Sequence, residues 1–117
     1  MSGTRFKDLL AYRQAVSLAD DLRAEVLDWL SFDVWSLGIQ LTRASDSIGA
    51  NIAEAYGRRG DSDQRRFLYI ARGSAYETEH WIDRARVRGL LPAGYEPRIT
   101  QVTRLLGGLI KSHLHSR

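Results

Sequence analysis

Arginine is the residue whose type and spacing first suggest chemistry in this chain. The stretch "YGRRGDSDQRRFLYIAR" sets Arg58, Arg59, Arg65, Arg66 and Arg72 among Tyr56, Phe67 and Tyr69, and Arg84, Arg86 and Arg88 follow as a second cluster. A guanidinium is a planar, weakly hydrated cation that grips phosphate or carboxylate through a fork of donors. Interleaved with aromatic rings, it makes the combination that single-stranded RNA recognition uses, phosphates on the forks and bases on the rings. The other account of the same residues is a solvated helical face pairing with Glu54, Asp61 and Asp63. The candidates for nucleic-acid binding are Arg58, Arg59, Arg65, Arg66, Arg72, Arg84 and Arg88.

A second group of polar residues lies upstream. Arg43, Ser47, Asn51 and Glu54 recur at steps of four, four and three, so on a helix they form one stripe along the edge of an apolar face. Ser74 and Glu77 are the counterpart in the following segment, beside Trp81. Antiparallel pairing of the two segments sets Arg43 near Glu77, Ser47 near Arg72, and Glu54 near Arg65 or Arg66. The expectation is a structural polar seam that fixes helix register, as a core asparagine does in coiled coils. A ligand site is the alternative.

Catalytic and metal chemistry find less. Glu77 and His80 make half of a di-iron Glu-x-x-His pattern, but the second pair and the further carboxylates are missing. His113 and His115, two residues apart on a helix, face different ways. No nucleophile elbow, phosphate-binding glycine loop or zinc spacing occurs, and Gly107-Gly108 is too short to cradle a phosphate. The sequence therefore predicts no catalytic residue, no metal, no cofactor and no enzyme activity. With no cysteine, disulfides, thiolate zinc sites, iron–sulfur clusters and thiol catalysis are excluded together.

What must position these residues is helical. Only Pro92 and Pro97 interrupt a chain of 117 residues, a length that suits one domain with one core over residues 1–117. Apolar residues recur at three- and four-residue steps in four segments: about 6–30, 34–56, 62–88 and 97–113. The first holds Leu9, Tyr12, Val16 and Leu22; the second Leu37, Leu41, Ile48 and Ile52. The third holds Phe67, Ile70, Ala71, Ala75, Trp81 and Ile82, and the fourth Ile99, Val102, Leu106 and Ile110. Gly57 stands where a left-handed C-terminal cap belongs, and Asp61 with Gln64 matches a capping box. Gly89 closes the third helix, and Pro97 suits the first turn of the fourth. Short connections make neighbouring helices antiparallel, so the fold class is all-α, an up-and-down antiparallel four-helix bundle. No apolar run is long enough to cross a bilayer, and the expectation is a soluble cytoplasmic protein with no membrane partner.

The central stretch also resembles a known family. "LTRASDSIGANIAEAYGRRGDSDQRRFLYIARGSAYETE" is similar to the four-helix bundle proteins encoded within intervening sequences of bacterial 23S ribosomal RNA genes. The family's pattern is met by Gln40, Leu41, Arg43, Ala44, Ser47, Ile48, Asn51, Ile52, Ala53 and Glu54, by Arg58 and Arg59, and by Phe67, Leu68, Ala71, Gly73, Ser74 and Glu77. Ala55 stands where glycine is customary, Gly49 where proline is common, and Tyr12 where tryptophan is usual. The resemblance implies a small cytoplasmic helical bundle, in some members a ring-shaped homopentamer. The accessory proteins of diversity-generating retroelements look similar in fold and work with a reverse transcriptase and its RNA.

Self-association follows from the residues as well. Leu10, Leu18 and Leu27 fall partly off the first ladder, Trp29, Phe32, Val34 and Trp35 crowd the turn after it, and Leu68 and Val87 leave the third ladder. Several such residues on long helices make a patch that favours association. The sequence thus predicts a non-enzymatic homo-oligomer, pentameric by resemblance, that binds nucleic acid, with RNA as the leading ligand. Net charge is only +3, so repetition of the arginine clusters in a ring would strengthen that binding. The alternative is a protein-interaction adaptor or scaffold for a nucleic-acid-processing enzyme encoded nearby, such as a reverse transcriptase, with no direct contact to nucleic acid.

Overall fold

The computed structural model describes residues 5–114. After a single 3₁₀ turn, Phe6–Asp8, four helices follow: α1 (Leu10–Val26), α2 (residues 31–56), α3 (Asp61–Val87) and α4 (Tyr95–Leu114). Each packs on two neighbours, α1 on α2, α2 on α3, α3 on α4 and α4 back on α1, in a bundle 48 × 20 × 20 Å. The expected all-α, up-and-down four-helix bundle is what forms.

Its core is built from long side chains over small ones. Leu18, Leu22, Leu37, Leu41, Ile48, Ile52, Ile82, Ile99 and Leu106 are fully buried, and alanines such as Ala15, Ala71, Ala75 and Ala85 sit between them. Alanine on the inner face lets helix axes come close while still favouring the helix. The inner stripe of α3 differs from the one expected. It runs Leu68, Ala71, Ala75, Thr78, Ile82 and Ala85, while Phe67 and Trp81 are half-buried and Ile70 is exposed. Thr78 belongs in this stripe because its hydroxyl donates to the Ser74 carbonyl at 2.8 Å, leaving nothing unsatisfied. Leu18 and Leu68, read from the sequence as off the ladder, are therefore core residues.

Two ends of the bundle are made differently. The helix expected to run to Leu30 stops at Val26, because the chain turns there and the Trp29 indole donates to the Leu90 carbonyl at 3.0 Å. That bond ties the α1–α2 turn to the α3–α4 turn. α2 then begins with an α-turn, Ser31–Asp33, and one π-helical turn, Val34–Gly38, before its regular stretch Ile39–Tyr56. At the same end Gly89, with φ of +71°, closes α3. Leu90 N–H reaches Ala85 O and Gly89 N–H reaches Arg86 O, the paired bonds of a Schellman cap.

At the opposite end the turn chemistry is not as expected. Gly57 has φ of −90° and is not left-handed; Gly60, with φ of +87°, makes the reversal into α3. Asp61 lies inside the helix rather than capping it, and Gln64 reaches back to donate to the Arg58 carbonyl at 3.1 Å. Gly60, three residues after Gly57, absorbs the bend, so no capping box is needed. His113 of α4 meets Gln64 of α3 across this end, with Nε2 and Oε1 3.0 Å apart. His115 lies outside the described residues.

Candidate nucleic-acid interface

The arginines expected to act together fall into three places. Arg58 and Arg66, at the α2–α3 turn, flank one ring, with their guanidinium carbons 4.7 and 4.9 Å from the centre of Phe67. Both are engaged by carboxylates. Arg58 pairs with Glu54 at 2.6 Å and faces Asp63 at 3.7 Å, and Arg66 faces Asp63 at 3.6 Å. Pairs this exposed are worth well under about 1 kcal/mol, so a phosphate could displace them, but the turn is half neutralised. Arg59 is exposed and makes no ion pair among the described residues.

Arg65 and Arg72 leave the turn and run along the side of α3 that faces α4. They are seven residues apart, about 10 Å along the helix. The Arg72 guanidinium lies 5.0 Å from the centre of the Tyr69 ring. Beside it opens a groove of about 370 Å³ between α3 and α4, lined by Arg72, Tyr76, Glu79, Thr100, Thr103, Arg104 and Gly107. The antiparallel register set by Gln64 and His113 brings Arg104 level with Arg72 and Lys111 level with Arg65. None of Arg65, Arg72 and Arg104 makes an ion pair among the described residues. Glu79 is the one carboxylate in the groove wall.

Arg84 and Arg88 sit at the other end of α3, Arg84 half-buried and Arg88 exposed. Sixteen residues from Arg72, Arg88 is about 24 Å away along the helix, too far to share one short ligand with it. The candidate arginines are thus a largely paired turn, an unpaired groove and a remote cluster. Arg104 escaped the sequence reading because it belongs to no run of arginines, with Arg98 six residues before it and Lys111 seven after; its one signal was a shared polar face with Thr100, Gly107 and Lys111.

The polar seam takes a different form from the one expected. Arg43, Glu54 and Glu77 are exposed, and Ser47, Asn51 and Ser74 are half-buried. The cross-helix pairs Arg43–Glu77, Ser47–Arg72 and Glu54–Arg65 or Glu54–Arg66 do not form. Each side chain that bonds does so within its own segment. Ser47 donates to Ala44 O at 2.8 Å, and Asn51 donates to Ser47 O at 2.8 Å. Glu54 takes Arg58, and Glu77 accepts from the Trp81 indole at 3.3 Å. Local partners win because a helix presents them at fixed distance with no loop to order. His80 rests edge-on against Trp81, centres 4.7 Å apart, and among the described residues no group of three His, Cys, Asp or Glu could hold a metal.

Ionisation is perturbed at three described groups: burial raises the Tyr56 hydroxyl, and Tyr95 and Glu96 at the start of α4 shift in opposite directions. Burial, reinforced by the hydrogen bond to Glu25 at 2.9 Å, pushes the Tyr95 hydroxyl up to about 12. Glu96 is held below the usual carboxylate range by backbone N–H donors and then by Arg86 at 2.9 Å. None of the three lies in the arginine groove.

Comparison with known proteins places the fold. The model of the 23S rRNA-intervening sequence proteins matches residues 7–110. A crystal structure of a protein of unknown function from the S23 ribosomal protein family, from Bacteroides thetaiotaomicron VPI-5482, superposes with a TM-score of 0.75 at 24% sequence identity. The match covers 87% of this chain and 99% of that one. No curated protein matches. No described helix is long and apolar enough to cross a membrane. With a four-helix bundle in hand and the family's pattern matched along nearly its whole length, the chain belongs to the 23S rRNA-intervening sequence protein family.

Proposed function

We propose that this chain is a non-enzymatic, self-associating cytoplasmic protein that binds single-stranded RNA along the α3–α4 groove. The observation that carries the proposal is the set Arg65, Arg72 and Arg104, unpaired with carboxylates among the described residues and bordered by Tyr69 and Tyr76. Forks for phosphate and rings for bases stand on one face, and Arg59 extends that charge around the turn. Self-association is supported by the outer face of α3, where Ile70 is exposed beside Gly73. Nothing lies within 4 Å of where a Gly73 methyl would be, so another helix has room to approach there.

Fluorescence anisotropy with a single-stranded RNA oligonucleotide across a salt series tests the binding. Changing Arg65, Arg72 and Arg104 to serine should weaken affinity and lower the log–log salt slope by about 2, at roughly 0.7 per phosphate contact. Unchanged affinity at every salt concentration would remove the groove, and no binding by the wild type would remove RNA. Light scattering tests association: the family resemblance favours five copies of a 13.3 kDa chain, and the mass of one chain would refute it.

A second reading has its own support. Large apolar side chains stand uncovered at the α1–α2 end, away from the arginine groove, as a protein-interaction adaptor would need.

A further inference from the structure

The α1–α2 end has an unusual surface. Leu27 is 64% exposed, Leu30 78%, Phe32 79% and Trp35 74%. Together they expose on the order of 500 Å² of apolar side chain at this end of the bundle. Next to them a groove of about 220 Å³ runs between the two helices, walled by Val26, Leu27, Val34 and Ile39 and rimmed by Arg23 and Arg43.

The local backbone builds this groove. Gly38 lets α2 lie against the end of α1, since a methyl there would meet Val26 Cγ1 at 2.7 Å. The π-turn Val34–Gly38 buries Leu37 and Gly38 and leaves Trp35 pointing out. Single π-turns recur where a helix serves a ligand or partner. Phe32, Trp35, Ile39 and Arg43 then recur at steps of three and four, one face of α2 beside the groove.

We propose that this groove docks an acidic amphipathic helix of a partner protein. The proposal rests on the protein-interaction reading and not on RNA binding. A helix suits the site because a trough between two antiparallel helices accepts the apolar ridge of a third. Acidity follows from the rim. Arg23 and Arg43 are the charged residues of the groove lining, which holds no carboxylate, and both are exposed without an ion pair among the described residues. A two-fold contact with a second copy would set the two basic rims against each other; a head-to-tail ring contact would not, and light scattering separates it from a partner helix. Phe32 and Trp35 could stack bases and Arg23 and Arg43 could grip phosphate, but the trough between them is walled by aliphatic side chains, which suit the apolar ridge of a helix and not a nucleotide chain.

The test uses the full chain and two labelled synthetic peptides of about four helical turns. Each carries a leucine and phenylalanine stripe, bordered by glutamate in one and by lysine in the other. The glutamate peptide should bind at least about tenfold tighter. Trp35→Ser with Leu27→Ser, both at exposed positions, should weaken it about tenfold or more. Arg23→Glu with Arg43→Glu should turn the preference toward the lysine peptide. Circular dichroism melts confirm that the variants stay folded.

Equal binding of both peptides at this end would overturn the acidic partner while leaving an adaptor role standing. Binding of neither would remove both. If the Trp35 and Leu27 changes instead reduce the mass seen by light scattering, or abolish binding of the RNA oligonucleotide, the face belongs to a second copy or to RNA and the proposal is wrong.

Discussion

The groove between α1 and α2 and the groove between α3 and α4 use the same two residue types for opposite ends. Both carry arginine at the edge and glycine in a helix. At the first, Gly38 is filled space: a methyl would lie 2.7 Å from Val26 and 3.5 Å from the Trp29 ring. At the second, Gly107 is empty space, with nothing within 4 Å of a methyl there or at neighbouring Gly108. The floors differ in kind as well, aliphatic between α1 and α2, hydroxyl-rich from Thr100 and Thr103 between α3 and α4. An arginine edge selects anions at both sites, and the floor decides what else the anion must carry. A glycine is informative only through what faces it.

The sharpest way to break this contrast is Gly38→Ala. It should destabilise the bundle by about 1–3 kcal/mol, because Val26 and the start of α2 must move apart. Urea denaturation reads the effect, and a wild-type midpoint would mean that the close approach is slack.

Tyr95→Phe, outside both grooves, sets the scale of an ordinary interhelix bond. Loss of the hydroxyl that donates to Glu25 should cost about 1–2 kcal/mol at neutral pH. Its pH dependence has a definite sign. The folded chain holds the Tyr95 proton up to about 12, above the ordinary value of 10.0, so it binds that proton more tightly than the unfolded chain. The stabilisation is complete below pH 10.0 and is lost as pH rises toward 12. The stability gap between wild type and Tyr95→Phe should narrow over that window.

Gly107→Ala and Gly108→Ala sharpen the other side. Each should stabilise by about 0.4–1 kcal/mol, because alanine restricts the unfolded chain and meets nothing in the folded one. A loss of stability in thermal melts at dilute concentration would reveal a contact at this face that the isolated chain does not make.

The smallest effect is expected at the polar stripe. Glu54→Ala removes one exposed pair with Arg58 and should change stability by less than about 0.5 kcal/mol. A loss of several times that size would restore the cross-helix network that the sequence suggested.

Much of the fold was legible because helix periodicity and turn residues are local. The four segments, the Gly89 cap and Pro97 in the first turn of α4 all came from spacing along the chain. The errors came where two nearby residues competed for one role. Phe67 and Leu68 are both apolar, and only packing against Ala55 and Ile110 chose Leu68 for the interior. Gly57 and Gly60 could each have made the reversal, and the backbone took Gly60. The candidate site was half legible: Arg65 and Arg72 were visible as one face, but Arg104 joined them only through the antiparallel register of α4.

By itself the sequence determined the helices, their order and which residues are cations, since propensity, periodicity and charge are properties of the chain. The tertiary structure decided what the cations face beyond the local Arg58–Glu54 and Arg66–Asp63 pairs, which helix spacing already offers. Arg58 meets Glu54 and Asp63, while Arg72 and Arg104 line one groove without pairing to its carboxylate, Glu79, because only packing fixes what lies within a few ångströms of an arm that long.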